Sequence, residues 1–122
     1  MSYDGENILE TAELARKIVD AALNRHASDI LLLDIRDGCS FTDYFVICNG
    51  ESDRQLKAIS DEIDEMLSQE NISTRRHQGN ANSGWIILDL GDIVVHIFSP
   101  EQREFYALEE MWEKAYTVVK IL

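Results

Sequence analysis

Apolar positions near the start of the chain recur at helical spacing. Ile8, Ala12, Ala15, Val19, Ala22 and Leu23 fall on one face of a helix running from about Asn7 to His26. The period then shortens. "DILLLDI" and "DYFVICN" are strand-sized apolar runs, and "RDGCSFT" between them supplies the turn. In "SDRQLKAISDEIDEMLSQEN" the helical period returns with Leu56, Ile59, Ile63 and Met66, opened by a capping box of Ser52 and Gln55. A short strand is expected near "STRRHQ" and a loop at "GNANSG". "WIILDL" and "DIVVHIF" are further strands, reversed by a hairpin at Gly91-Asp92. A last helix starts with Ser99 as its cap and Pro100 in its first turn, and Gln102 completes a second capping box. Phe105, Leu108 and Trp112 are its expected buried stripe. The tail "KAYTVVKIL" fits either a continued helix or a segment lying along an edge or a partner.

The order is αββαβββα. This predicts one α/β domain over residues 1–122, a mixed five-stranded sheet flanked by helices, mainly on one face. The crossover through the second helix brings parallel pairing, and the hairpins bring antiparallel pairing. "IVVHIF" is apolar at nearly every position, as suits a central strand buried on both sides.

Charge narrows the partners. The chain carries 11 basic and 23 acidic residues, a net charge of -12. Such a surface repels phosphate backbones, and the one small basic patch is "RRH" at Arg75 to His77, so little direct nucleic-acid binding is expected. An acidic domain can be drawn to a basic protein, but from charge alone acidity that serves solubility is the favoured reading. The apolar runs are strand-sized, so no membrane span is expected. The acidic beginning "MSYDGENILETAE" lacks the pattern of a signal or transit peptide, and the cytoplasm is the expected compartment. Cys39 and Cys48 form no metal-ligand spacing or C-x-x-C pair, in keeping with a reducing environment, and no cofactor is expected.

Candidate chemistry centres on "GWIILDLGDIVVHIF". Asp89 and Asp92 flank Gly91, and three readings apply: a metal site, a capped turn, or a surface read by another macromolecule. Metal catalysis needs carboxylates that converge, which a spacing of three across a turn does not require, even with Asp34, Asp37 and Asp43 nearby. "CNGESDRQ" leads from a strand into a helix start, a geometry suited to anions. It has no P-loop lysine, and although it is similar to the Gly-Ser turn of nucleotidyltransferases, the D-x-[DE] pair of that family does not follow. His96 lies in an apolar strand, where a hydrogen-bonded core histidine is the commoner role. Trp85 begins a strand after a flexible loop, where it fits either a core position or an interface hot spot.

Three stretches in register resemble the signatures of the ribosomal silencing factor family, the Iojap-like proteins. The first is "TDYFVICNGESDRQ", with Thr42, Asp43, Tyr44, Gly50, Ser52, Arg54 and Gln55. The second is "WIILDLGDIVVHIF", with Trp85, Asp89, Gly91, Asp92, Val95, His96 and Phe98. The third is "PEQREFYALEEMW", with Pro100, Glu101, Arg103, Tyr106, Leu108, Glu109 and Trp112. Met111 departs slightly, standing where an aliphatic such as Leu is common. The resemblance implies a fold similar to nucleotidyltransferases without their catalytic acids, and a non-enzymatic translation repressor. Its partner would be the large ribosomal subunit, bound through its fourteenth protein so as to block joining of the small subunit, and the free form would be a homodimer. Matched by motif, Trp85, Asp89, Leu90 and Asp92 are the expected partner-binding residues, with Trp85 and Leu90 as apolar anchors and the two acids facing Lys or Arg. Strict alternation puts Trp85 and Leu90 on opposite faces, so Leu90 needs a twist, a bulge or the strand edge. Asp43, Tyr44, Ser52 and Arg54 are expected to support the strand-helix turn or a secondary interface. The alternative is a metal-dependent nucleotidyl- or phosphoryl-transfer enzyme using Asp89 and Asp92.

Overall fold

A computed structural model describes residues 10–112 and 114–122. The elements are α1 (Thr11–Asn24), β1 (Ser28–Asp34), β2 (Tyr44–Asn49), α2 (Asp53–Gln69), β3 (Arg76–Asn80), β4 (Trp85–Asp89), β5 (Ile93–Phe98), α3 (Pro100–Tyr106) and β6 (Tyr116–Ile121). Short 3-10 turns at Ala81–Ser83 and Leu108–Met111 precede β4 and follow α3. All six strands join one sheet in the order β3-β4-β5-β2-β1-β6. The pairing is antiparallel throughout except between β2 and β5, which run parallel across the connection that contains α2.

One face of the sheet carries the aliphatic core. Val46, Cys48, Leu88, Val95 and Ile97 meet Ala15, Ile18 and Ala22 of α1 and Leu56, Ile59 and Ile63 of α2. Each fully buried Ile or Leu there contributes about 1.5–3 kcal/mol from apolar burial. Cys48 behaves as one of these hydrophobes, burial pushing its thiol up to about 12. The opposite face holds a smaller cluster of Leu33, Ile35, Phe45, Ile47, Val94 and Phe98, with Trp85, Leu108 and Trp112 packed against it. β5 separates the two layers and is buried at every position.

α2 begins as its cap predicts, with Ser52 Oγ accepting the Gln55 N–H at 3.1 Å. The reciprocal half is displaced by one residue: Gln55 Oε1 accepts from the Glu51 N–H at 2.6 Å. Gln55 Nε2 also donates to the Arg25 and His26 carbonyls, tying the start of α2 to the end of α1.

Several expectations need correction. The sheet has six strands, not five, because the tail forms β6 and pairs antiparallel with β1, where Val119 and Ile121 reach the helix-side core. The buried side of α1 is Ala15, Ile18, Val19, Ala21 and Ala22, whereas Ala12 and Leu23 face solvent. Ile8 lies outside the described residues. β3 starts three residues later than "STRRHQ" and takes in Gly79 and Asn80, both expected in a loop. The third helix ends at Tyr106, since Ala107 turns left-handed at φ 43°. That turn moves Leu108 and Trp112 off the helical period, and Phe105 is left 77% exposed.

Candidate docking surface

The parallel register of β2 and β5 sorts the candidate residues into two ends of the sheet. Tyr44 stands opposite Ile93, and Asn49 opposite Phe98. Asp43, Tyr44, Asp89, Leu90 and Asp92 therefore gather at one end. Trp85 lies at the other, because it pairs with Phe98, and there the Gly50 N–H is bonded to the Phe98 carbonyl just before Ser52 and Arg54.

At the acidic end the backbone does the joining. The Asp43 and Tyr44 N–H groups both donate to the Asp92 carbonyl, at 2.9 and 3.1 Å, and the Ile35 N–H donates to the Asp43 carbonyl at 3.0 Å. Two acids 49 positions apart in sequence are thus neighbours, with Asp92 exposed and Asp43 half-buried. Asp89 acts locally, since its Oδ1 accepts the Gly91 N–H at 2.8 Å and so closes the turn. Gly91 has φ +96°, and a Cβ there would lie 3.2 Å from the Arg75 guanidinium, which lies over the turn. Arg36 is committed elsewhere, since it pairs with Asp34 at 2.6 Å, holds that carboxyl below the usual carboxylate range and lies over the Tyr44 ring. Among the described residues no cation forms a salt bridge with Asp37, Asp43 or Asp92. Leu90 packs toward the helix-side core, opposite the face used by Trp85, as alternation requires.

At the aromatic end Trp85 is half-buried. Its indole stacks on Phe98 at 4.8 Å and meets Tyr106 at 4.5 Å between ring centroids. Nε1 donates to His96 Nδ1 at 3.1 Å. Indole is a donor only, so His96 must be neutral with its hydrogen on Nε2. Burial lowers the His96 pKa to about 4, slightly opposed by Asp89. Ser52 caps α2, and Arg54 is exposed in its first turn.

Arg103 clamps the segment after β5 onto the sheet. Its guanidinium is buried and donates to Asn49 Oδ1 at 2.7 Å, the Asp29 carbonyl at 2.8 Å and the Glu109 carboxylate at 3.1 Å. Phe41 is a surface residue that the sequence pattern hides, because its loop reads as a plain turn. A large aromatic between polar residues is the available signal. Among the described residues no group of three or more His, Cys, Asp or Glu side chains is placed to hold a metal. No helix there is long and apolar enough to cross a membrane.

Known proteins supply the context. The family described as "Ribosomal silencing factor during starvation" matches residues 8–121. A ribosomal silencing factor of Bacillus subtilis is 40% identical over 100 residues, 81% of this chain and 85% of its own. A crystal structure from Chromobacterium violaceum aligns at TM-score 0.82 with 26% identity, covering 91% of this chain and 94% of that one. One from Bacillus halodurans aligns at TM-score 0.78 with 32% identity, covering 89% and 99%. With three motifs in register, the fold shared and nearly the whole length matched, the chain belongs to the ribosomal silencing factor family, whose members are ribosome-associated regulators rather than enzymes.

Proposed function

We propose that this protein represses translation by docking on the large ribosomal subunit through its fourteenth protein, on the face that meets the small subunit. Occupying that face blocks subunit joining by steric exclusion, and the family's name ties this action to starvation. The observation that carries the reading is the acidic end of the sheet. Asp43 and Asp92 are clamped together by backbone bonds, without a cation partner among the described residues, on a chain of net charge -12. A basic protein surface complements them, whereas ribosomal RNA is repelled. Trp85 supplies an aromatic anchor at the other end of the sheet, opposite Phe98 and so six residue steps or about 20 Å from Asp92. That separation fits within a standard interface of about 800 Å² per partner.

Asp92 is assigned the leading polar contact, because the Asp89 carboxylate is already engaged in its turn. Leu90 contributes least, since its side chain packs toward the helices and its N–H is bonded to the Ile93 carbonyl. Asp43 joins the primary surface, while Tyr44, Ser52 and Arg54 shape the ends of β2 and α2. A transferase reading through Asp89 and Asp92 has no observation in its favour. We take the free protein to be a cytoplasmic homodimer, and light scattering on the purified chain tests the dimer directly.

The deciding experiment mixes purified protein with separated subunits and follows sedimentation. Co-migration with the large subunit and loss of joined ribosomes are expected, with affinity falling as salt rises. Undiminished joining at saturating protein would sink the reading.

A further inference from the structure

The most exposed large apolar side chains beside the acidic end belong to neither Trp85 nor β4. Phe41 is 67% exposed in the loop between β1 and β2, and Met111 is 68% exposed after α3. Trp112 links them. The Phe41 ring meets its indole edge-on at 6.1 Å, and Trp112 in turn meets Phe45 edge-on at 5.5 Å. Ile35, Gly38, Met111, Trp112, Lys114 and Ala115 border an open cavity of about 420 Å³. Single exposed hydrophobes are ordinary, but two large ones around a half-buried Trp and a cavity form a patch.

The patch is fixed in place. Phe41 is two residues before Asp43, whose N–H and carbonyl are both bonded to the sheet, and the Ile35 carbonyl accepts the Gly38 N–H at 3.1 Å. Asp37 and Asp43 stand in the same loop as Phe41, and the exposed Asp92 is bonded to Asp43, so acids outnumber the cavity's Lys114 at the margin of the patch. Two copies meeting through this face would set acids against acids, and RNA would set phosphate against them. A basic protein surface bearing an aliphatic or aromatic side chain meets both requirements: charge opposite the acids and an apolar tip for the cavity.

We infer that Phe41, Met111 and Trp112 form the apolar anchor of the acidic docking end, and that they receive a basic segment of the protein partner. The inference rests on the docking reading above and extends its footprint beyond β4 to the loop before β2 and the turn after α3. Phe41 would serve as a contact of the kind that dominates interface energy, an aromatic desolvated on binding and ringed by polar groups.

The test measures binding of the full chain to purified large subunits, for wild type, Phe41→Ala, Met111→Ser and Trp85→Ala. Melting curves accompany each. Phe41→Ala is expected to weaken binding by about tenfold or more, as loss of an interface hot spot does, with its melting temperature unchanged because the ring is exposed. Met111→Ser is expected to act in the same direction. Wild-type affinity in both, with Trp85→Ala weakened, overturns the inference and leaves the docking reading standing. Failure of the wild type itself to bind overturns both. Loss of self-association or of binding to naked ribosomal RNA in Phe41→Ala, with subunit binding intact, assigns the patch to another occupant and also overturns the inference.

Discussion

The bond between Trp85 and His96 makes a pH prediction whose sign and size both follow from the geometry. His96 accepts from an indole that can only donate, and it is buried among Phe45, Phe98 and Trp85. Adding a proton to Nδ1 would turn two N–H groups toward each other and place a charge in an apolar layer. The folded pKa is accordingly about 4, against 6.5 for an ordinary histidine. Between those values the unfolded chain binds a proton that the folded chain refuses. Stability is therefore retained above pH 6.5 and falls as pH drops toward 4. Linkage gives a loss of about 2 kcal/mol between pH 7 and pH 5, rising to about 3 kcal/mol below the folded pKa. The assay is urea unfolding across that range for wild type and His96→Asn, whose Oδ1 keeps an acceptor near Nδ1 but does not titrate. Carboxylates contribute alike to both proteins, so the difference between the curves isolates His96. A difference that shrinks by about 2 kcal/mol from pH 7 to pH 5 supports the account. Parallel curves would refute it, and an indole N–H resonance of Trp85 that ignores His96→Leu, which removes the acceptor, would refute the bond.

Three further outcomes follow from named contacts. Arg103→Met strips the partner from the Glu109 carboxylate, Asn49 Oδ1 and the Asp29 carbonyl together; it should cost about 3 kcal/mol in chemical denaturation, as breaking a buried charge network does. Gly91→Val places a branched side chain at φ +96° against the Arg75 guanidinium; a loss of about 2 kcal/mol with an unchanged urea m-value is expected. Trp85→Ala removes a half-buried ring stacked on Phe98 and Tyr106; it should lower stability by about 2 kcal/mol yet leave a folded chain that binds the large subunit more weakly. A molten product by near-UV circular dichroism would make Trp85 a core residue only.

The sequence disclosed α2 and β5 well, and for different reasons. Ser52 sits at a boundary where the apolar period changes, and a hydroxyl there has one obvious use. "IVVHIF" has no polar face, so it had to be interior. β6 was ambiguous because "VVKI" is too short for its period to separate helix from strand, and only the vacant side of β1 decides it. The error at Phe105 has a single cause. The left-handed Ala107 breaks the period in the middle of the expected apolar stripe, and nothing in "YALEE" announces such a turn. The candidate site was legible residue by residue but not as a shape. No spacing rule connects position 43 to position 92. Their contact depends on parallel pairing of β2 with β5, which long-range closure determines. The same pairing carries Trp85 away from Asp89 and Asp92, although all three lie within eight positions of one another in the chain.

The two faces of the sheet divide stability and recognition between them. On the helix side, aliphatic residues from α1, α2 and four central strands are nearly all inaccessible, so a substitution there acts through cavities and unfolding. On the other side the packing is done largely by rings, running from Phe45 through His96 and Phe98 to Trp85, with Trp112 and Tyr106 at the margins. Rings laid edge to face against a sheet can remain partly exposed without losing their contacts, since each keeps a large buried area and a fixed orientation. A face built this way is rigid before any partner arrives, which lowers the entropy cost of docking. Substitutions at its exposed margin should then separate binding from folding, whereas those under α1 and α2 should not. Arg103 is the hinge of this division. It belongs to the ring side, yet its guanidinium is held by Asn49 and Asp29 at the ends of two sheet strands. Losing it should loosen Tyr106, Leu108 and Trp112 together and so weaken docking through disorder of the face, without removal of any proposed contact.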